Sequence, residues 1–294
     1  MRALLVHNPT AGTGSHSADA LTALLREAGY SVSSWSTKNR DYKKALGDRA
    51  DLLLIAGGDG AITRVIRCLP AYDTPVAILP LGTANNIART LGIEGDPDLL
   101  IECLRKHATR PFDVGLVRGP WGERRFAEGV GVGLFAEWMQ EGSNKPPAPE
   151  RTKIGRDRLR EALVNAIPRR WNVTVDGHEL AHEVLLMEVL NTRYIGPALP
   201  VGPCSALGDQ LLDVVYLLSD KRAEMLSWLE NPERTPSPFL VRQGRKIILQ
   251  WDSGDLHIDD RAWPPPEKPT QVKIKLEPKG LRICVPPQLA SSPS

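Results

Sequence analysis

Leu52-Leu53-Leu54-Ile55-Ala56-Gly57-Gly58-Asp59-Gly60-Ala61-Ile62-Thr63 reads as a buried strand that breaks into a tight turn and passes at once into a helix. The apolar run does not alternate with polar residues, so both faces of the strand are covered, as in a parallel sheet flanked by helices. Three glycines let the backbone turn sharply and come close to a ligand. The carboxylate of Asp59 falls just past the carboxyl end of the strand, where open α/β sheets bind their ligands. Phosphate chemistry uses both features: amides hold oxygens, and an acid manages a metal.

The chain around this stretch keeps the same rhythm as far as Asp113. Ala3–Val6, Tyr30–Trp35 and Pro75–Leu79 read as further strands. Helices are expected over Leu21–Ala28, with Ser17 as cap and Gly29 as stop, and over Asp41–Arg49, Ala61–Cys68, Asn86–Leu91 and Asp98–Lys106. This βαβα order predicts a parallel sheet covered by helices. Two more turns follow strands: His7-Asn8-Pro9-Thr10-Ala11-Gly12-Thr13-Gly14 and Leu79-Pro80-Leu81-Gly82-Thr83-Ala84-Asn85-Asn86. Amides in the first suit an anion. Thr83 offers a hydroxyl, and Asn85 both donates and accepts or, in the plainer reading, caps a helix. Three such turns after parallel strands fall on one edge of the sheet.

Past Asp113 the pattern changes to period two. Trp171, Val173 and Val175 alternate, and Asp176-Gly177 signals a hairpin. Ile247, Leu249 and Trp251 alternate, as do Val272, Ile274 and Leu276, then Leu281, Ile283 and Val285. The expected fold is an α/β domain with a parallel sheet over 1–113 and a β-rich antiparallel, sandwich-like domain over 114–294, the last strand being placed to return to the first domain. Helices interrupt the second domain at Arg156–Ala166 and Arg222–Leu229. Ser143–Arg151 and Arg261–Pro269 read as Pro-rich loops, and Pro286–Ser294 as a frayed tail. Gly129-Val130-Gly131-Val132-Gly133 lacks dinucleotide spacing and indicates close strand packing.

Composition narrows the class. Hydrophobic residues make up 41% and charged residues 24%, as in ordinary globular domains, and a net charge of +2 gives no reason to expect nucleic acid. Cys68, Cys103, Cys204 and Cys284 lie too far apart for metal or redox motifs, which points to reduced thiols and a cytoplasmic setting. No segment reaches the roughly 18 apolar residues of a membrane span. A lipid substrate would therefore be met by peripheral contact with the membrane surface. The chain carries no G-x-x-x-x-G-K-[ST] segment and no protein-kinase catalytic loop.

The three turns, in this order, resemble the diacylglycerol kinase catalytic-domain family of bacterial lipid kinases and sphingosine and ceramide kinases. Asn8–Gly14 stands for N-P-x-[SA]-G-x-G, Gly57–Ala61 for G-G-D-G-T, and Pro80–Asn86 for P-L-G-T-x-N-D. Asn191–Gly196 is similar to the family's N-x-R-Y-x-G, and Asp209–Val214 to its D-G-L-L-D-V. The resemblance implies a two-domain fold with ATP in the cleft between the domains. It places Asn8, Ala11, Gly12, Thr37, Gly57, Gly58, Asp59, Gly60 and Thr83 against the nucleotide, with Asp59 acting through Mg²⁺ that bridges the phosphates. It implies a metal role for Asp209; a plain turn residue is the alternative.

The departures matter as much. Ala61, Asn86 and Gln210 replace a threonine, an aspartate and a glycine. In Leu256-His257-Ile258-Asp259-Asp260-Arg261, Arg261 stands where the family's D-G-E has its glutamate base. An arginine cannot take a proton. Asp259 or Asp260 is then the candidate for orienting the acceptor hydroxyl. Three readings stay open: an ATP-dependent lipid kinase, a non-catalytic nucleotide- or lipid-binding protein, and a soluble-substrate kinase of the NAD-kinase type.

Overall fold

The computed structural model describes residues 1–11, 16–104, 108–141, 150–202 and 207–287. The chain divides into two compact units: Met1–Asp113 with Ala206–Gly208 and Pro278–Ser294, and Val114–Ser205 with Asp209–Glu277.

The first unit runs β1 (Arg2–His7), α1 (Ala18–Glu27), β2 (Ser31–Ser36), α2 (Tyr42–Ala45), β3 (Leu52–Gly57), α3 (Asp59–Ile66), β4 (Val76–Pro80), α4 (Asn86–Thr90), α5 (Pro97–Cys103) and β5 (Ala108–Phe112). The second continues with β6 (Gly115–Gly119), β7 (Gly122–Phe126), β8 (Gly129–Gly133), α6 (Leu134–Glu141), α7 (Arg151–Asn165), β9 (Arg169–Arg170), β10 (Asn172–Val175), β11 (His178–Leu180), β12 (Glu183–Leu190), β13 (Tyr194–Ile195) and β14 (Leu199–Pro200). It closes with β15 (Leu212–Leu218), α8 (Arg222–Trp228), β16 (Leu240–Gly244), β17 (Lys246–Trp251), β18 (Leu256–Ile258), β19 (Arg261–Trp263) and β20 (Thr270–Leu276). β21 (Leu281–Val285) belongs again to the first unit.

In the first unit the strands lie in the order β2-β1-β3-β4-β21-β5. β1 through β4 pair in parallel, and β5 pairs antiparallel with β21. β3 is buried along its whole length, as its unbroken apolar run requires. Ser17 Oγ accepts the Ala20 amide and caps α1, while Gly29 ends it at φ 90. Because β1, β3 and β4 are parallel neighbours, the turns after them emerge on one edge.

The second unit is a sandwich of two sheets, ordered β11-β10-β17-β20-β6-β7 and β16-β15-β12-β8-β18-β19. Val117, Val173, Leu249 and Ile274 of one sheet share a core with Val130, Val189, Val214 and Ile258 of the other. The far face of the β12 sheet is covered by α6, α7 and α8, where Phe135, Leu159, Leu163, Leu186 and Trp228 pack together. Asp176 and Gly177, at φ 49 and 83, make the tight turn between β10 and β11.

One expectation needs correction, and one helix stands where the sequence reading names no element. Arg261–Trp263 is not loop but strand β19, paired with β18 through Leu256↔Trp263 and Ile258↔Arg261. The run of prolines masks the alternation, and the strand is decided by its neighbour. Leu134–Glu141 forms a helix directly after Gly133, which at φ 85 turns the chain out of β8. The Ser143–Arg151 loop and the Pro286–Ser294 tail fall largely outside the described residues. Among the described residues no helix is long and apolar enough to cross a membrane.

Candidate functional site

The second and third glycine turns meet backbone to backbone. A Cβ on Gly58 would lie 2.9 Å from the Cα of Gly82, and one on Gly82 would lie 2.5 Å from the Cα of Gly58. The Leu81 amide donates to Gly57 O at 3.1 Å and ties the two turns where their strands end. Gly57 is equally confined: a Cβ there would stand 2.7 Å from that of Ala61 and 3.3 Å from that of Asn8. The glycines are therefore fixed by the close approach of three chain segments.

Side chains brace these turns. Asn8 Oδ1 accepts from Thr10 Oγ1 at 3.0 Å, and the Ala11 amide donates to Asn8 O at 3.0 Å. Asn85, at φ 50, accepts from the Gly82 amide at 2.9 Å and donates to Pro80 O and Gly82 O at 3.1 and 3.0 Å. Its amide nitrogen has both hydrogens committed inside the loop. It makes no side-chain capping bond to α4. Gly82, Thr83, Ala84 and Asn85 are all half-buried. Gly12 lies outside the described residues.

Asp59 opens α3 and reaches across to the next turn, where its Oδ1 accepts the Ile87 amide at 3.0 Å. Burial pushes its carboxyl above the usual range, and the amides of Ile87, Asn86, Asp59 and Asn85 oppose that only in part. A carboxyl held higher in the folded chain contributes stability that is fully present below its unfolded value, about 3.8, and is lost as pH rises through the folded value. The Asp59→Asn variant is expected to flatten that part of the stability-against-pH curve. It should also lose the Mg²⁺-dependent part of any stabilisation by ATP. Urea midpoints between about pH 4 and about pH 7, with and without Mg·ATP, measure both; an unchanged Mg²⁺ response would remove Asp59 from metal handling.

Thr37 follows β2, where its amide donates to His7 O at 2.9 Å. Its Oγ1 is buried with no hydrogen-bond partner among the described residues. Leaving such a hydroxyl unmade costs about 1–3 kcal/mol, so the position is suited to a ligand that accepts or donates there. A confined glycine cradle and an orphaned hydroxyl at the end of the adjoining strands fit a phosphate-bearing group. Asn8, Ala11, Gly57, Gly58, Asp59, Gly60 and Thr83 line the same sheet edge.

The second unit holds the remaining candidates. Asp259, at φ 49, is buried, and its Oδ1 accepts the amides of Ala127, Glu128 and Gly129 at 3.0, 2.8 and 3.3 Å. Its own amide donates to Gly129 O at 2.8 Å. This carboxylate clamps β18 to the start of β8. The other candidate, Asp260, is exposed at the tip of the β18–β19 hairpin. Arg261 lies beside it with its guanidinium 4.3 Å from the centre of the Trp263 ring.

Asp209 Oδ1 accepts the Leu211 amide at 2.9 Å, the geometry of a turn residue. Gln210 takes φ 61, where the resembling sequences carry glycine. The described acidic and histidine groups that come together with metal-ligand spacing are His16, Asp96 and Asp98, and Asp209 is not among them.

Sequence reasoning passed over one buried pair. His257 Nε2 lies 2.7 Å from Glu188 Oε2, with Nδ1 3.1 Å from Asp259 O. Both side chains are buried, 1% and 0% exposed. They meet above Gly131, whose missing Cβ makes room for the Glu188 carboxylate. Burial alone would lower the His257 pKa, but the Glu188 charge, its hydrogen bond and the Asp259 carbonyl outweigh it and hold it raised. Burial raises Glu188, with His257 opposing. The one sequence signal was a glutamate inside the apolar run Val184–Leu190.

The first unit is thus an α/β unit whose glycine turns converge at the carboxyl ends of parallel strands, and the second is a β-sandwich. Residues 2–117 match the family model of the diacylglycerol kinase catalytic domain. A diacylglycerol kinase of Bacillus subtilis (strain 168) is 29% identical over 241 residues, 76% of each chain. The crystal structure of a diacylglycerol kinase from Bacillus anthracis str. Sterne superposes with a TM-score of 0.68 at 17% identity, over 98% of both chains. An NAD kinase from Archaeoglobus fulgidus in complex with ATP superposes with a TM-score of 0.56 at 14% identity, over 98% of this chain and 95% of that one. The chain is thus similar to bacterial diacylglycerol kinases, which supports a kinase activity in general, and the likeness to the NAD kinase is one of fold alone.

Proposed function

We propose that the chain is an ATP-dependent kinase that phosphorylates a hydroxyl on a lipid or lipid-like alcohol. The observation that carries this reading is the backbone contact of Gly58 with Gly82, two glycine turns at the carboxyl ends of neighbouring parallel strands, with the orphaned Thr37 hydroxyl at the same edge of the sheet. Amides in such turns hold phosphate oxygens and resist displacement during transfer. Mg²⁺, when bound, would neutralise charge on the β- and γ-phosphates. The cradle and Thr37 orient the nucleotide, and Asp260 orients the acceptor hydroxyl. Phosphoryl transfer rests mainly on positioning and charge, so a weak base does not abolish it. The acceptor is reached by peripheral contact, for which the basic residues of α7 offer charge.

Transfer from γ-labelled ATP to diacylglycerol, sphingoid bases, ceramide and soluble alcohols tests the reading. Asp260→Asn is expected to lower turnover by roughly 10²–10⁴, with the ATP-induced thermal shift kept. Arg261→Glu is not expected to raise it, because Asp260 already fills the role; a rise would instead mark a kinase that has lost its base. A second reading, a nucleotide-binding protein without catalysis, is favoured by the enclosed Asp259 and by Arg261; it holds if ATP shifts the melting temperature but no acceptor is labelled. Absence of any thermal shift with millimolar Mg·ATP defeats both.

A further inference from the structure

We propose that the open edge of the second unit's sandwich is an oxyanion site, in which the guanidinium groups of Arg124 and Arg261, laid against Trp263, take a phosphate. β7 ends one sheet and β19 ends the other. Arg124 pairs across from Val117, and Arg261 across from Ile258. Val117 and Ile258 both point into the core, so both arginines lean toward the mouth of the sandwich. The Arg124 guanidinium lies 5.1 Å from the centre of the Trp263 ring and that of Arg261 4.3 Å. Trp121 packs against Trp263 in a tilted arrangement, ring centres 4.8 Å apart, and Trp251 lies 5.8 Å from Trp121.

The site is rich in donors and poor in acceptors. Neither arginine has a carboxylate partner among the described residues, although Arg125 next door is paired with Glu277 at 2.5 Å. The indole nitrogens of Trp121 and Trp263 have no acceptor among the described residues. By contrast Trp251 and Trp171 donate to Gly254 O and Ser253 O at 2.8 and 3.0 Å. Two like charges beside one ring repel each other, and an anion between them relieves that cost. Cation–π contacts hold the planar forks in place before binding, which lowers the ordering cost of a bidentate phosphate contact. Inward-pointing charges on edge strands also discourage sheet-to-sheet association, and the test separates that role.

Phosphate reaches such a site free or as the diester of a lipid headgroup; in the second case the site would select anionic acceptors, an extension that rests on the kinase reading. The probe is the tryptophan fluorescence of the full chain, which needs no turnover. One arm titrates inorganic phosphate. The other titrates phosphatidylcholine vesicles with and without phosphatidylglycerol. A saturable response to phosphate, or one that requires phosphatidylglycerol, is expected, and the responding arm identifies the source. The Arg124→Gln/Arg261→Gln variant should weaken that response about tenfold or more, while its thermal shift with Mg·ATP stays that of the parent. The proposal falls if the parent responds in neither arm, or if the double variant binds as the parent does. Size-exclusion showing larger species with unchanged phosphate affinity would leave the arginines as edge guards only. Since the Mg·ATP shift is read separately, loss of this site and loss of the kinase reading give different results.

Discussion

His257→Ala is expected to destabilise the second unit by about 3–5 kcal/mol. Glu188 would remain wholly buried, with its Oε1 already unpartnered and its Oε2 deprived of the imidazole. The Asp259 carbonyl would lose the ring nitrogen as well. Because burial holds the Glu188 carboxyl high, the variant escapes part of the cost at low pH by keeping that proton. Its deficit should therefore grow as pH rises. Replacing both members together, as Glu188→Leu/His257→Leu, should recover most of the loss, since an apolar pair needs no compensation. Urea unfolding of the two single variants and the double variant measures the coupling. A deficit for His257→Ala within about 0.5 kcal/mol, the range of ordinary surface substitutions, would mean that the pair does not hold the sheet.

Gly82→Ala is expected to cost about 1–3 kcal/mol in stability and to abolish stabilisation by Mg·ATP, which is about 2.7 kcal/mol at a hundredfold excess over Kd. The added methyl would sit 2.5 Å from both the Cα of Gly58 and the Oδ1 of Asn85. The first obstacle is backbone and cannot rotate away. The second is the atom that accepts the Gly82 amide, so relieving one contact breaks the brace of the loop. The two turns must separate, and the cradle opens with them. Thermal melts with and without nucleotide check both parts. Full retention of the nucleotide response would show that the cradle does not hold phosphate.

The wider lesson lies in what each level specified. The unbroken apolar run of Leu52–Ala56 required a buried parallel strand, and its abrupt glycines required a turn. The spacing of the three turns then placed them on one sheet edge, because neighbouring parallel strands end on the same side. The period-two patches at Trp171–Val175, Ile247–Trp251 and Val272–Leu276 likewise dictated half-buried antiparallel strands. These are local properties, readable from side-chain periodicity and backbone freedom.

Other features depend on partners distant in the chain, and no window of sequence contains them. Asp259 looked like a reactive carboxylate; only the fold brings the amides of Ala127, Glu128 and Gly129 to it and makes it a clamp. Glu188 and His257 meet because strands 183–190 and 256–258 flank Gly131. The prolines after Arg261 suggest a loop, yet Arg261–Trp263 is strand because Leu256–Ile258 offers an edge to pair with. Asn85 has the chemistry to read a ligand, yet the closure of its own loop consumes both of its amide hydrogens. The sequence determined where the glycine turns and the charges stand along the chain. Tertiary structure alone decided which charges are enclosed, because burial and hydrogen-bond partners are set by strand order and not by spacing.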